Sequence, residues 1–456
     1  MQMTAHDIAR RARGEVVAGD AGAVARSFAF DSRTLDAEAC FVALHGERDG
    51  HDYVGAAFAA GASVAIVQRI PNGIVAGEGQ AIVQVADPHR ALQALARSVR
   101  DERPDLAVVG ITGSSGKTST KDMLYAALSS TAAVHANRDS FNNEVGLPLT
   151  LLGIEPSTRY VVTEMGARFA GNIADLCEIA RPTVAVVTNI GLAHAEHLGG
   201  REGIARVKGE LVECLPDDGL AVLNADDEWT DRIALRTRAR VVTVGFEHAD
   251  VRITDVRVSS DLRATCRVGD VEIEVPLRGA HQVHNAALAV VVAQHLGVAP
   301  ADIASGLAAA QGSRWRMELD RSPADVVVLN DAYNANPASM EAAIRALAQL
   351  PIDGRRIAVV GEMRELGPHA AEAHDAIGEL AASLGIDLII GVGDGGAAIA
   401  KAADGVASVL VPDAAHATAE LQSLVRPGDA VLVKASRAVG LEVVADALLH
   451  AGSPAS

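Results

Sequence analysis

Three α/β domains are predicted for this chain from three observations: its length, two separate runs of alternating strands and helices, and a glycine-rich loop set between a strand and a helix. At 456 residues it is too long for one ordinary core and suits about three domains. Alternation from residue 106 to about 244, and again after Trp315, predicts parallel sheets with crossover helices. The expected parts are a small mixed α/β domain over 1–86, a central parallel-sheet domain over 87–313 that begins with a linker helix at 87–104, and a third α/β domain over 314–456.

In the first part, apolar runs at 40–44, 63–68 and 81–85 predict strands, with a helix near 53–60. A helix over 88–100 ends at the break Asp101-Glu-Arg-Pro104. The central domain follows with strands at 107–112, 160–164, 183–189, 220–224 and 240–244, and a helix at 117–130. Between 251 and 275 the period drops to two, with Glu272 and Glu274 set against Val271, Ile273 and Val275, which predicts a small antiparallel meander. Helical pattern returns at 283–296 and 301–310. The third array has strands at 325–329, 356–360, 387–392, 408–411 and 430–434, each followed by an alanine-rich helical stretch. No Gly-x-Gly-x-x-Gly opens it, so a Rossmann-like fold is expected there without a dinucleotide site.

Composition narrows the function. With 49% apolar and 21% charged residues the chain reads as globular and soluble. Its 40 basic and 58 acidic residues give a net charge of −18, which repels nucleic-acid phosphates, so any phosphate ligand must be held by a local site. Cys40, Cys177, Cys214 and Cys266 lie far apart with no Cys-x-x-Cys pair, which predicts buried free thiols in a reducing compartment. The first residues lack the apolar core of a signal peptide, and no apolar run approaches the roughly 20 residues that span a bilayer. A cytoplasmic monomer is expected.

The segment Val108-Val-Gly-Ile-Thr-Gly-Ser-Ser-Gly-Lys-Thr-Ser-Thr120 carries the strongest chemical signal. Gly110, Gly113 and Gly116 are expected to turn the backbone tightly and aim N–H groups at phosphate oxygens, making the central domain a P-loop-type ATPase domain. Lys117 would then reach the terminal phosphates, and the Thr118 hydroxyl Mg²⁺. The common spacing puts a glycine where Ile111 stands; here the first glycine is one residue earlier.

Other residues fall on the same expected sheet edge. Glu164, in Thr163-Glu-Met-Gly166, ends a strand and is either a Mg²⁺ ligand or a solvated strand end. In Asn189-Ile-Gly-Leu-Ala-His-Ala-Glu-His197, His194 and His197 have helical i, i+3 spacing, but no Cys or third His stands near to complete a zinc site. His194 reads either as a polar side chain at the surface or as a second-metal ligand. Lys208 reads equally as an ordinary helix lysine. Asn142 and Asn143 either cap a turn or bind substrate. At the join to the third domain stand Gly279-Ala-His-Gln-Val-His-Asn285 and Arg314-Trp-Arg316. The first strand of the last array ends in Asn330-Asp-Ala-Tyr-Asn-Ala-Asn-Pro337, suited to a ribose or purine edge, with Asn336 also a good helix cap. Lys434-Ala-Ser-Arg437 sets two cations beside a hydroxyl, for an anionic group or as plain surface charge.

Taken together these motifs resemble the Mur ligases, ATP-dependent amide-bond-forming enzymes of bacterial cell-wall synthesis. The resemblance rests on the displaced loop, Phe141-Asn-Asn-Glu-Val-Gly-Leu-Pro148, the Asn189–His197 segment, Lys208-Gly-Glu210 and Asp331-Ala-Tyr-Asn-Ala-Asn-Pro337, in order and spacing, and runs from about Asp31 to Arg437. Within the family, the Asp331–Pro337 stretch, Gly361-Glu-Met-Arg-Glu-Leu-Gly367 and the Lys434–Arg437 end look most like the branch that adds D-alanyl-D-alanine to UDP-N-acetylmuramoyl-tripeptide. No Asp-Asn-Pro-Arg motif of the diaminopimelate-adding relatives is present.

The resemblance implies roles. Gly113, Ser114, Ser115, Gly116, Lys117, Thr118 and Ser119 would hold ATP phosphates, with Thr118 and Glu164 on one Mg²⁺ and His194 on a second. Lys208 would match a lysine that the family carbamylates. Asn285, Arg316, Asp331 and Asn334 would contact ATP, the last three on closure of the third domain. Ser32 and Arg33, with Gly46-Glu-Arg-Asp-Gly-His51, would lie in a uridine-nucleotide domain, Asn142 and Asn143 would meet substrate, and Lys434, Ser436 and Arg437 would grip the dipeptide. The chain departs from the family's usual residues at Ala435, commonly Gly, and Leu192, commonly Pro. Folylpolyglutamate-type ligases lack the first domain. A nucleotide-switch or transport ATPase would hydrolyse ATP without an amino-acid acceptor.

Overall fold

A computed structural model describes residues 2–137 and 141–450. The first domain is a five-stranded mixed sheet in the order Glu15–Gly19, Ala81–Gln84, Val64–Val67, Ala39–Val42, Ser27–Ala29, antiparallel only at the first pair. Ala39–Val42 and Val64–Val67 are buried on both faces, which is why they read as unbroken apolar runs. The expected helix at 53–60 divides into a 3-10 turn, Gly50–Tyr53, and a helix, Val54–Ala59. Helix Ala5–Ala12 has no counterpart among the expected elements. Its buried stripe is mostly alanine (Ala5, Ile8, Ala9, Ala12), too faint to stand out from the arginines around it.

Helix Pro88–Asp101 starts where Asp87 accepts from the amides of His89 (2.8 Å) and Arg90 (3.3 Å), with Pro88 preset for the first turn. Expected as a linker, it buries Leu92, Leu95 and Val99 in a core shared by the first sheet and the middle domain. The buried Arg100 donates to Ala180 O at 3.0 Å and so ties the helix to the middle domain.

The middle sheet has nine strands, in the order Val271–Val275, Ala264–Val268, Val251–Val258, Arg240–Gly245, Leu220–Asn224, Val184–Val187, Ala107–Thr112, Tyr160–Glu164, Val134–Ala136. The meander expected at 251–275 is present and antiparallel, yet it is no separate unit. Its first strand pairs parallel with Arg240–Gly245, so the sheet simply continues into it. Strand Ala107–Thr112 lies between Tyr160–Glu164 and Val184–Val187, with Thr163 opposite Gly110 and Val187 opposite Thr112. The chain leaves that strand toward the Val134–Ala136 edge, and the connection after Tyr160–Glu164 crosses back to Val184–Val187 on its other side, which opens a crevice at the strands' carboxyl ends.

The third sheet runs Glu318–Arg321, Val327–Asn330, Ala430–Lys434, Arg356–Val360, Leu388–Val392, Ala407–Val411, parallel except for the antiparallel edge strand Glu318–Arg321. The strand expected at 325–329 begins two residues later, because Asp325 sits at φ 61° in a turn whose N–H returns to Ser322 O. Asp331 N bonds Val433 O at 3.0 Å and Gly361 N bonds Lys434 O at 3.1 Å, so three motif-bearing strand ends adjoin.

The cysteine expectation fails at one position: Cys40, Cys177 and Cys266 are buried free thiols, but Cys214, in the turn that ends helix Gly200–Glu213, is exposed. Among the described residues no helix is long and apolar enough to cross a membrane.

Candidate active site

A cleft of about 1310 Å³ lies between the middle sheet's carboxyl edge and the third domain. At its floor the glycine loop joins strand Ala107–Thr112 to helix Lys117–Ser129. Gly113 (φ 149°) and Gly116 (φ 81°) make the turn, and a Cβ on either would collide with Thr188 Oγ1 (1.8 Å) or Asn285 Oδ1 (2.3 Å). Gly110 does not belong to the turn, which corrects the expectation of three loop glycines. It sits inside the strand, where a Cβ would come within 2.8 Å of Leu211 Cδ1, so its role is clearance for packing.

Thr188 and Asn189 brace the loop from the neighbouring strand end. Ser114 N donates to Asn189 O (2.9 Å), Ser115 N to Asn189 Oδ1 (3.0 Å), and Ser114 Oγ to Gly191 O (3.0 Å). Ser119 is buried in the first turn of the following helix. Asn285 Nδ2 donates to Gln282 Oε1 at 2.8 Å, and the side chain backs Gly116.

Two lysines converge on one carbonyl. Lys117 Nζ and Lys208 Nζ each donate to Gly113 O at 2.8 Å. Lys208 is 1% exposed, and burial, with Lys117 beside it, drives its ammonium well below the usual lysine range. Burial also lowers Lys117, opposed by Glu164. The helix that carries Lys208, Gly200–Glu213, is anchored by Glu210, which accepts from the amides of Gly171 (2.8 Å) and Ala174 (3.1 Å) at the start of helix Asn172–Ala180.

Glu164 is no solvated strand end. It is 2% exposed, accepting from Thr118 Oγ1 at 2.7 Å and from Asn142 Nδ2 at 2.7 Å. Burial pushes its carboxyl up, but Lys117, Thr118 and Arg316 outweigh that and hold it below the ordinary value. The asparagine pair divides: Asn142 grips Glu164, while Asn143 Oδ1 caps a turn by accepting from Gly146 N at 2.9 Å. His194 caps helix Ala195–Leu198 from a left-handed backbone (φ 61°) and lines the cleft beside Glu365. Burial, with Lys117 and Lys208 nearby, lowers its imidazole to about 4, against the pull of Glu365. His197 packs on Phe169 at 5.4 Å, so the two histidines do not act as a pair.

The third domain is seated on the loop. Arg316 lies 4.0 Å over the Tyr333 ring and donates to Thr118 Oγ1 at 2.9 Å. Asn336 both caps helix Pro337–Gln349 and reaches Ser114 O at 3.4 Å. Asp331 faces inward, accepting from Met317 N (3.1 Å) and ion-paired with Lys434. Asn334 Oδ1 accepts from Ala335 N and its carbonyl from Lys434 at 2.9 Å.

The expectation of a three-residue dipeptide grip needs revision. Lys434, 1% exposed, gives its donors to Asp331 and Asn334, and Ser436 Oγ accepts from Arg364 N at 2.9 Å. Arg437 lines the cleft beside Trp315 (4.5 Å) and pairs with Glu442 at 2.6 Å. Ala435 is fully buried, and Leu192 packs at the meeting of the middle and third cores.

In the first domain Ser32 and Arg33 share an outer turn, where the Arg33 guanidinium binds Asp31 and lowers its carboxyl to about 2. The neighbouring Phe30 meets Phe141 at 6.4 Å. His51 is a structural hub: its Nδ1 contacts Asp49 at 2.6 Å and its Nε2 accepts from Gln68 N at 2.9 Å. Thr188 and Asn189, with Tyr333 and Glu365, had no role of their own in the sequence reading, and Asn336 had only that of a helix cap, which it fills. The first two carried a signal, since they directly follow a buried strand at the loop's edge.

Comparison with known proteins agrees across the chain. Residues 27–100 match the model described as Mur ligase family, catalytic domain, 111–293 the Mur ligase middle domain, and 315–437 the Mur ligase, glutamate ligase domain. The UDP-N-acetylmuramoyl-tripeptide–D-alanyl-D-alanine ligase of Mycobacterium tuberculosis is 41% identical, covering 92% of this chain and 91% of its own. That of Bacillus subtilis is 35% identical, covering 94% of each. The crystal structure of MurF from Acinetobacter baumannii superposes with a TM-score of 0.88 at 32% identity, covering 99% of both chains. MurF from Thermotoga maritima in complex with ADP gives 0.77 at 31% identity, covering 92% and 96%.

Proposed function

The chain belongs to the Mur ligase family, and we propose that its central cleft activates a carboxylate with ATP, using Lys117, Thr118, Glu164, His194 and Lys208 on one wall and Arg316, Asp331 and Asn334 on the other. The enzyme is an ATP-dependent ligase that joins D-alanyl-D-alanine to UDP-N-acetylmuramoyl-tripeptide in peptidoglycan synthesis. In this reading the terminal carboxylate of the tripeptide takes the γ-phosphoryl group and ADP leaves. The dipeptide amine then attacks the acyl carbon, loses a proton, and expels phosphate.

One observation carries the assignment: the buried Thr118–Glu164 pair stands at the mouth of the glycine loop, flanked by Lys117 and Arg316. A buried carboxylate and a loop hydroxyl are hard oxygen donors suited to Mg²⁺, with His194 placed for a second ion. When bound, Mg²⁺ offsets charge on the phosphate oxygens. The chain's own part is positioning and neutralisation. The loop 113–119 cradles phosphates, Lys117 neutralises the transferred group, and Arg316 brings a third-domain charge to it. Asn285 and Asn334 border the nucleotide, while Asp331 and Lys434 fix the loop that carries Asn334. The seated third domain keeps water from the acyl phosphate.

Lys208 suits carbamylation. Its environment favours the neutral amine, the form that adds to CO₂ with loss of a proton, and the anionic product would relieve the crowding of two lysines at Gly113 O. ¹³C-labelled CO₂ should give a carbamate resonance absent from Lys208→Met. Ser32 and Arg33 are assigned to the uridine-nucleotide end, Asn142 holds Glu164 beside the substrate, and Arg437 is the candidate for the dipeptide carboxylate. Residues 1–86, 87–313 and 314–456 are the working units. The enzyme acts as a monomer in the cytoplasm, where ATP is at hand. The test is phosphate release measured with each substrate omitted in turn. Release that requires both the muramoyl-tripeptide and D-Ala-D-Ala is expected; a rate indifferent to the dipeptide overturns the assignment.

A further inference from the structure

His194 is held by a residue of another domain. Its Nδ1 is buried without an aligned hydrogen bond, and the atom that lies against it is a carboxylate oxygen of Glu365, from the third-domain loop that follows strand Arg356–Val360. The same contact is reinforced by the backbone, where Glu196 N donates to Glu365 O at 3.2 Å. The two surfaces are close enough that a Cβ on Gly367 would lie 3.0 Å from Glu196 Cα.

Both partners have unusual backbones. His194 (φ 61°) and Glu365 (φ 63°) each adopt the left-handed conformation that side-chain-bearing residues avoid, so each is held there by its surroundings. For Glu365 those surroundings are visible residue by residue. Met363 N donates to His374 Nε2 at 2.9 Å, Arg364 N to Ser436 Oγ at 2.9 Å, and Ser436 N to Glu362 O at 3.0 Å, while Leu366 is buried in the third core. The loop is a rigid finger, and its tip is the carboxylate on His194.

A carboxylate on Nδ1 keeps the ring proton there and leaves the Nε2 lone pair for a cation. We propose that Glu365 is a positioning residue that orients His194 for metal binding only while the third domain is seated, coupling domain closure to completion of the metal site. This rests on the reading of His194 as a metal ligand.

Mn²⁺ titrated into the full-length chain holding a non-hydrolysable ATP analogue tests the idea without turnover. Glu365→Ala should weaken Mn²⁺ binding about 10–100-fold, the range for losing such a supporting carboxylate, with affinity for the analogue changed less than about threefold. Glu365→Gln, whose amide oxygen still accepts from Nδ1–H, should recover most of the loss. In a His194→Ala background Glu365→Ala should add nothing, since the residue acts through the ring. A full additional loss there, or Mn²⁺ binding unmoved in Glu365→Ala while His194→Ala weakens it, overturns the inference alone. Mn²⁺ binding unmoved in His194→Ala removes His194 from the metal site and overturns both.

Discussion

Two sheet edges face each other across the cleft, and their charges are arranged differently. At the middle-domain edge Lys117 and Lys208 share the single carbonyl of Gly113, and the nearest carboxylate, Glu164, is engaged by Thr118 and Asn142. At the third-domain edge Lys434 is matched to Asp331 and to two carbonyls, and Arg437 to Glu442. The first edge carries unbalanced positive charge toward the cleft; the second matches Lys434 and Arg437 within itself and sends Arg316 across to Thr118. A site that must meet the phosphates of ATP gains from being incomplete without them, because the anion then satisfies groups the fold leaves crowded. A cation that only has to brace a loop, as Lys434 does, gains from being matched beforehand.

The largest expected break in this comparison is Lys117→Ala. Turnover should fall about 10³-fold, as for loss of a preorganised charge at a developing anion, while the melting temperature stays level or rises because a neighbour of Lys208 has gone. Steady-state phosphate release and a thermal melt check both halves. Near-normal turnover would remove the loop from the chemistry.

Next in size is a matched pair of substitutions with opposite effects on stability. Lys434→Met leaves Asp331 buried without its cation and should destabilise the fold by about 3–5 kcal/mol. Lys208→Met removes a buried amine that has no ion pair among the described residues and whose protonation burial opposes, so the fold should be unchanged or more stable by about 1–3 kcal/mol, with turnover abolished. Denaturant midpoints for the two variants decide it. Equal destabilisation would mean that the two edges treat charge alike.

The same contrast explains what could be read from sequence. Strands Ala107–Thr112, Tyr160–Glu164, Leu220–Asn224, Arg356–Val360 and Ala430–Lys434 were legible to the residue, because strands buried on both faces spell continuous β-branched and aliphatic runs. Helix Ala5–Ala12 and edge strand Glu318–Arg321 were not, since a small alanine stripe and a half-exposed edge leave weak patterns. At the site, local chemistry was legible: Gly113 to Thr118 announce an anion cradle by spacing alone. What was not legible was pairing over long separations. Nothing in the residues themselves says that Lys434 faces Asp331 across 103 positions, or that Ser436 closes on Arg364 rather than on a ligand. Gly110 shows the converse, a residue that matched a motif yet serves packing against Leu211. Lys434, whose charge pairs off inside the fold, was therefore overread as a substrate contact.

His194 supplies the smallest and finest test, because it lies where the two edges meet. Burial, with the two lysines, lowers its imidazole to about 4 against an ordinary 6.5, so the folded state prefers the neutral ring. The unfolded chain accordingly takes up the proton first as pH falls. Stability tied to this group is fully present above about pH 6.5, drains away between 6.5 and 4, and is not lost further below. With partial solvent screening at a half-buried site, the swing should be on the order of 1–2 kcal/mol. The way to isolate it is a difference: denaturation midpoints of wild type and His194→Gln at pH 7 and at pH 4.5. The variant should gain on wild type by that amount as pH falls. If the gap stays constant, the lysines do not burden the ring, and the excess of positive charge at the middle-domain edge does not extend to His194.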